Sequence, residues 1–437
     1  MVRNGLALDA LRFPPGFLWG AATAAHQVEG DNDNTDWWEW EQDDDPPAPL
    51  AEPSGSACEH WTRYRGDIGL LAELGLNAYR FSIEWARIEP AAGTVDRSAL
   101  DHYRDVVDAC LERGVTPIVT LQHFTLPRWV AARGGWTARD IATLFGGYAR
   151  TVAESLADRV TYYCTVNEPG NMVTRGYLGT FPTPPFVRSI DQFERAVAGV
   201  VSAHRHAREA IKEANPRARV GIAHALQDWH ANSGGEPLMR WARSLHEDRF
   251  FDAAADDEFV GVQTYTRVRV EMPALAAPLG RLLLKSKVLT EQVLVRNMRR
   301  QAARIERPVE KDGGDRVRRT QMGYEWAPDA VERTTRRIAE IFPGKELLIT
   351  EHGVSTEDDS ERIEYIEEGL RSIGRLRSDG LPVSGYIHWS LMDNWEWWNG
   401  FRPRFGLVAV DRATQERTIK PSARWYGAVA RANSASA

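Results

Sequence analysis

Cysteine is scarce, with three residues among 437. Cys58, Cys110 and Cys164 are odd in number and unevenly spaced, which excludes a disulfide framework and the paired spacing of a zinc site. They suit a reducing compartment, and a cytoplasmic location is the expectation. Long apolar runs are missing too: nothing approaches the ~20 residues of a membrane span. The stretch MVRNGLALDALRFPPGF has no continuous apolar core and soon meets Pro14, Pro15 and Gly16, so it does not read as a signal peptide. Basic charge is not in excess. The net charge of −7 gives no basic face to neutralise phosphates, so no nucleic-acid partner is expected.

Two catalytic signatures are also absent. Gly20-Ala21-Ala22-Thr23 is not the glycine-rich loop that would cradle a phosphate after a first strand. His204 and His206 form an HxH, but on a segment of helical period, where residues two apart do not face each other. His26 stands alone after the first strand, and Asp43-Asp44-Asp45 lacks the spaced oxygens of a calcium loop. No metal and no cofactor are expected. Cys164 reads as a small buried hydrophobe within a strand.

What is abundant is tryptophan, sixteen in all, with clusters at Trp37-Trp38-Trp40 and Trp395-Trp397-Trp398. A flat, amphipathic indole packs in a core or lies against the apolar face of a sugar ring. Around these clusters the chain alternates. Short apolar runs at Phe17–Ala22, Ala78–Ile83, Val115–Leu121, Val160–Val166, Val220–Ala225, Phe259–Thr264, Glu346–Thr350 and Ser384–Trp389 predict strands. Between them, segments of helical period include His60–Leu74, Ser98–Arg113, Ala138–Leu156, Asp191–Ala214, Ala327–Phe342 and Asp359–Arg377. Gly75, Gly114 and Gly380 fall where helices would end. Strands apolar throughout, each followed by a helix, predict a parallel sheet buried on both faces. Eight such units predict an α/β fold, a (β/α)₈ barrel in one domain over residues 1–437.

Two stretches interrupt the alternation. Gln42–Ala57, acidic and rich in Pro and Gly, reads as a surface loop. A long loop over about 266–326 carries the basic-apolar segment Arg281–Arg307, which reads as a lid helix.

Barrel enzymes carry their chemistry at the C-terminal strand ends. Those ends hold Gln27 and Glu29, Arg80, His123, Asn167-Glu168, Gln263 and Tyr265, Glu351, and Trp389. Two glutamates at opposite strand ends, beside Trp and neutral hydrogen-bonding groups, suit glycoside cleavage. One carboxyl must donate a proton to the leaving oxygen while the other faces the oxocarbenium-like centre. Arg80 and Tyr265 are placed to keep Glu351 ionised.

The segments FPPGFLWGAATAAHQVEG, YRFSIEWARIEP, TVNEP, ITEHG and HWSLMDNWEWWNGFRPRFGLVAVD, in this order from about Phe13 to Trp425, resemble the family 1 glycoside hydrolases, the β-glucosidase family. The resemblance implies a (β/α)₈ barrel and a small-molecule β-glycoside substrate hydrolysed with retention. It implies Glu168 as acid/base and Glu351 as nucleophile, with Arg80 and Tyr265 orienting the nucleophile. It places Gln27, His123, Asn167, Glu396 and Trp397 on the sugar hydroxyls and Trp389 beneath the ring. Tyr324 would line the aglycone side. Three positions depart from the family: His352 and Gln263 stand where Asn is usual, and Phe124 where Trp is common. His352 is expected either to perturb the nucleophile as a cation or to replace one hydrogen bond. The Glu396-Trp397 pair, which members acting on 6-phosphorylated sugars tend to lose, implies an unphosphorylated sugar. A transglycosylase governed by Tyr324 and the Trp37-Trp38 region, and a catalytically idle sugar-binding barrel, are the alternatives.

Overall fold

The computed structural model describes residues 13–43, 50–273, 278 and 317–434. Eight parallel strands close into a barrel: β1 (Leu18–Ala22), β2 (Ala78–Ser82), β3 (Thr116–Gln122), β4 (Tyr162–Asn167), β5 (Arg219–Ala225), β6 (Phe259–Gln263), β7 (Glu346–His352) and β8 (Val383–Trp389). Each pairs with its successor, and β8 closes on β1 with Leu18 opposite Gly385 and Ala22 opposite Trp389. Nearly every strand residue is buried, as a sheet covered on both faces requires. Each predicted strand forms, most within two residues of its expected ends. The helix His60–Leu74 forms over the expected span, and Gly75 ends it in the left-handed conformation that costs glycine little.

Two layers of side chains organise the core. An outer layer joins helices to the barrel wall, for example Ile68, Leu71, Val106, Val152 and Ile373. A smaller layer fills the barrel interior with Leu18, Ala78, Ile118, Cys164, Ala223, Phe259, Leu348 and Ile387. Cys164 is thus a packed interior residue, as its strand position predicts. His204 is equally structural: its Nδ1 lies 2.8 Å from Thr165 Oγ1, and the residue is fully buried behind β4.

At the C-terminal rim the structure adds pieces that the alternation does not announce. A two-stranded parallel ribbon joins Asp228–Ala231, after β5, to Arg267–Val270, after β6. The helix Glu236–His246 lies beside it. A short hairpin, Val408–Val410 with Arg417–Ile419, and the helix Pro421–Ser434 complete the chain. The stretch expected as a surface loop after β1 is partly built into the fold. Within it Ser54 and Ala57 are buried, and the Glu52 carbonyl accepts a hydrogen bond from Trp395 Nε1 at 2.9 Å. Arg281–Arg307 and residues 44–49 lie outside the described residues. Among the described residues no helix is long and apolar enough to cross a membrane, and no group of three His, Cys, Asp or Glu is arranged to hold a metal ion.

Candidate active site

The C-terminal strand ends surround a cavity of about 1010 Å³. Eleven of the twelve predicted site residues line it: Gln27, His123, Asn167, Glu168, Gln263, Tyr265, Tyr324, Glu351, Trp389, Glu396 and Trp397. Arg80 reaches the same place from beneath, through its contact with Glu351.

Glu351 is the penultimate residue of β7, with its side chain turned inward, and it is 4% exposed. Arg80 Nη1 donates to its Oε1, and Tyr265 OH donates to its Oε2 at 2.6 Å. Arg80 Nη2 also donates to Asn167 Oδ1 at 2.6 Å, and Gln263 Nε2 donates to the same oxygen at 2.9 Å. A guanidinium only donates, so these contacts fix which end of the Asn167 amide is oxygen. Its nitrogen therefore faces His123 Nε2 at 3.2 Å as a donor. That leaves the His123 proton on Nδ1. Burial and the Arg80 charge hold this imidazole far below its ordinary pKa, so it is neutral. One arginine thereby orders Glu351 and, through Asn167, the tautomer of His123.

Glu168 stands at the end of β4, on the first residue beyond the strand. Its backbone is left-handed (φ 45°), although the residue precedes Pro169, which opens the next helix. Phe124 and Trp397 share this sparsely populated conformation, at φ 71° and 54°. All three line the cavity and are held in this conformation by the surrounding packing. At Gly170 a Cβ would fall 1.7 Å from the His246 carbonyl oxygen. Only glycine lets the Glu168 segment lie this close to the helix Glu236–His246.

The two carboxyls differ in their partners. Burial pushes both above their ordinary pKa. At Glu351 this is opposed by Arg80, by Tyr265 and by Gln263. At Glu168 the next largest influence is the negative charge of Glu351, which raises it further, to about 7. Asn171 Nδ2, at 2.8 Å from Glu168 Oε2, is a weaker counterweight. The cationic and hydroxyl partners favour the ionised form at Glu351, and the neighbouring charge favours the protonated form at Glu168. Glu396 is a third buried carboxyl. Desolvation raises it to about 8, and Trp389 Nε1 donates to its Oε1 at 3.1 Å.

The polar groups around this end are held by neighbours, yet each keeps capacity. Gln27 Nε2 is engaged by Asn394 Oδ1 (2.9 Å) and the Trp395 carbonyl (2.7 Å), leaving Oε1 without a partner. Gln263 Oε1 and His123 Nδ1 are also buried without partners. Two acceptors, one donor and the carboxyl of Glu396 line a cavity beside the flat ring of Trp389. Unengaged buried polar groups are costly unless a ligand completes them. Neutral hydroxyls, which both donate and accept, fit this set.

The tryptophan clusters divide. Trp389, Trp397 and Trp398 line the cavity. Trp37 does not. It packs behind Trp397, ring centroids 4.6 Å apart, within a cluster that includes Trp395 and Phe401. On the same indole His26 lies nearly parallel (6°) at 5.9 Å, its Nε2 2.7 Å from the buried Glu41 carboxylate. Trp37 and His26 thus support Trp397 from outside the cavity, which corrects the expectation that the Trp37 region would govern an acceptor directly. Glu29 is likewise structural, bound to Arg87 Nε at 2.9 Å and Tyr103 OH at 2.8 Å.

Of the two expectations for His352, the cation beside the nucleophile is not met, and the residue makes a hydrogen bond of its own. Alternation along β7 turns Glu351 inward and His352 outward, where it stacks on Tyr365 at 4.8 Å and meets Tyr386 OH at 2.9 Å. Desolvation lowers its pKa to about 3, so it neither charges nor touches the carboxylate beside it. Gln263 supplies the amide that Asn usually provides, and Phe124 takes an edge-on contact with Trp397 at 5.1 Å.

Residues that sequence reasoning passed over complete the cavity. Asn171, three residues past Glu168, could have been found from helical spacing alone. Arg175 lies one turn further along the same helix, and Trp229 and His246 come from the added ribbon and helix, where no strand-end rule points.

Comparison with known proteins agrees with this geometry. The model of Glycosyl hydrolase family 1 matches residues 10–435. Beta-glucosidase A of Thermotoga maritima is 30% identical over 452 residues, covering 98% of this chain and 99% of its own. An Agrobacterium beta-glucosidase is 32% identical, covering 96% of each. The solved beta-glycosidase from Pyrococcus horikoshii superposes with a TM-score of 0.83 at 35% identity, covering 97% of this chain and 96% of that one. Similarity end to end, on a closed eight-stranded barrel with its carboxyls at the strand ends, makes this chain a glycoside hydrolase that belongs to glycosyl hydrolase family 1.

Proposed function

We propose that this enzyme is a retaining exo-β-glycosidase acting on unphosphorylated β-glucosides by double displacement. Glu351 attacks the anomeric carbon while Glu168 protonates the departing oxygen. Glu168, now ionised, then deprotonates the water that releases the sugar. The observation that carries this reading is the asymmetry of the two carboxyls. Glu351 accepts from Arg80 and Tyr265, whereas Glu168 accepts from Asn171 and faces the negative charge of Glu351.

Gln27, His123, Glu396 and Trp397 receive the hydroxyls of the terminal sugar, over the ring of Trp389. Tyr324 borders the aglycone. Glu396 disfavours a phosphorylated sugar, because a phosphate would meet a buried carboxyl there in place of a cationic partner. The three cysteines are buried free thiols, which suits the cytoplasm as the location.

The test is hydrolysis of aryl glycosides varied in sugar and anomer, with the first-formed anomer identified by NMR. Turnover of β-glucosides with release of β-glucose supports the reading. Release of α-glucose would replace it with an inverting mechanism. In a retaining site the carboxyl groups stand roughly 5 Å apart, against roughly 9 Å in an inverting one.

A further inference from the structure

We infer that the aglycone this enzyme takes is an extended apolar group, alkyl or aryl, rather than a second sugar. The inference rests on the glycosidase reading above and names the substrate class of the same cavity. Its basis is the wall of the cavity opposite the sugar end. His123, Asn167 and Trp389 come from the ends of β3, β4 and β8 or the residue that follows, and Gln27 from the short helix after β1. The opposite wall comes from the segments after β5 and β6, across the barrel.

That wall is the added ribbon and its helix. Trp229, Leu238, Val268, Val270 and Met272 line the cavity there and are all partly exposed. Apolar side chains left half covered along one continuous wall mark a surface that an apolar partner completes. The indole nitrogen and the two arginines of the same wall are engaged with carboxylates. Trp229 Nε1 donates to Glu247 Oε1 at 2.6 Å, so its indole offers the cavity an apolar face. Arg267 uses all three nitrogens, on Asp228 (2.8 Å), Glu325 (3.1 Å) and Asp329 (3.2 Å). Arg269 bonds both oxygens of Glu325, at 2.9 and 2.8 Å.

A second sugar would bring several hydroxyls to this wall and lose their water. In exchange it would find the buried, unengaged Gln227 Oε1 and the exposed carboxylate of Glu271 at the edge of the wall. An alkyl or aryl group loses nothing to water and gains by burial. The same cavity therefore has a polar end for the sugar and an apolar wing for the leaving group, with Glu168 and Glu351 between them.

The test measures kcat/KM for methyl, butyl and octyl β-glucosides and for cellobiose. On this inference kcat/KM rises by about threefold to fourfold per methylene over the first four carbons, the increment of burying a CH₂ group. Octyl glucoside then exceeds cellobiose by about a hundredfold or more. In Trp229→Ala, and separately in Val270→Asp, the octyl-to-methyl ratio falls about tenfold. The ratio is internal to each variant, so a loss of folded protein does not mimic the effect. Turnover with a flat series, or cellobiose matching octyl glucoside, would overturn the inference alone. Silence toward every glucoside, aryl glucosides included, would overturn the glycosidase reading and this inference with it.

Discussion

The polar end of the cavity and its apolar wing are built by opposite means. At the polar end Arg80, His123, Asn167, Glu168 and Glu351 rise from barrel strands or the residues directly after them. Each is locked by another: Arg80 orders Glu351 and Asn167, and Asn167 orders His123. On the wing, ion pairs such as Arg267 with Asp228 and Glu325 serve only to hold the ribbon, and the cavity meets aliphatic and indole surface. Rigid strands give the precision that chemistry at one carbon requires, while a ribbon set on loops gives area. Changes at the polar end should therefore act on every substrate alike, and changes on the wing should depend on the leaving group.

The largest expected effect is at Glu351. Glu351→Gln should lower kcat by roughly three to five orders of magnitude for any aglycone, each factor of ten being about 1.4 kcal/mol of transition-state stabilisation. Steady-state kinetics on an alkyl and an aryl glucoside would check it; a loss confined to one of them would break the comparison.

Glu168 sits between the two regions, and its variant should show that. Glu168→Gln is expected to cost roughly 10² to 10⁴-fold on an alkyl glucoside, whose leaving oxygen needs the proton. The cost in kcat/KM should be much smaller for a dinitrophenyl glucoside, whose leaving group departs unprotonated. Equal losses on both would argue that Glu168 only positions substrate.

The pH profile gives the next contrast. Glu168 must be protonated to act as acid, and burial with the neighbouring Glu351 charge raises it to about 7. Activity toward alkyl glucosides should therefore fall as pH rises through about 7, when this carboxyl loses its proton. On the acid side activity should fall as Glu351 gains one. Glu168→Gln should lose the alkaline limb and keep the acid one. An unchanged alkaline limb in that variant would assign it to another group.

The smallest of these effects belongs to a single sugar contact. Gln27 presents one free acceptor, so Gln27→Ala should reduce kcat/KM by about tenfold, equally for butyl and octyl glucosides. A loss that changed with chain length would place Gln27 on the wing side.

This division also explains what could be read from the residues in order. Each barrel strand was legible, because a doubly buried strand is apolar throughout and helical periods separate it from the next. The strand ends then named Glu168, Glu351, Arg80 and Tyr265. His352 was left between two readings for want of the same logic: period-two alternation puts a residue beside an inward Glu351 on the outer face, against Tyr365. The ribbon Asp228–Ala231 with Arg267–Val270 was not legible. Its strands are four residues long, and they lie almost forty residues apart in the chain. Trp37 and Trp397 look alike as members of tryptophan clusters, and only tertiary packing sets one behind the other.

The most direct test of the account is to incubate the protein with a 2-deoxy-2-fluoro-β-glucosyl fluoride and map the labelled peptide by mass spectrometry. The fluorine at C2 slows both steps, and the reactive leaving group lets the first outrun the second, so a glycosyl-enzyme accumulates. The account predicts a single adduct, on Glu351, accompanied by loss of activity. An adduct on Glu168 or Glu396, or full turnover with no adduct, would contradict it.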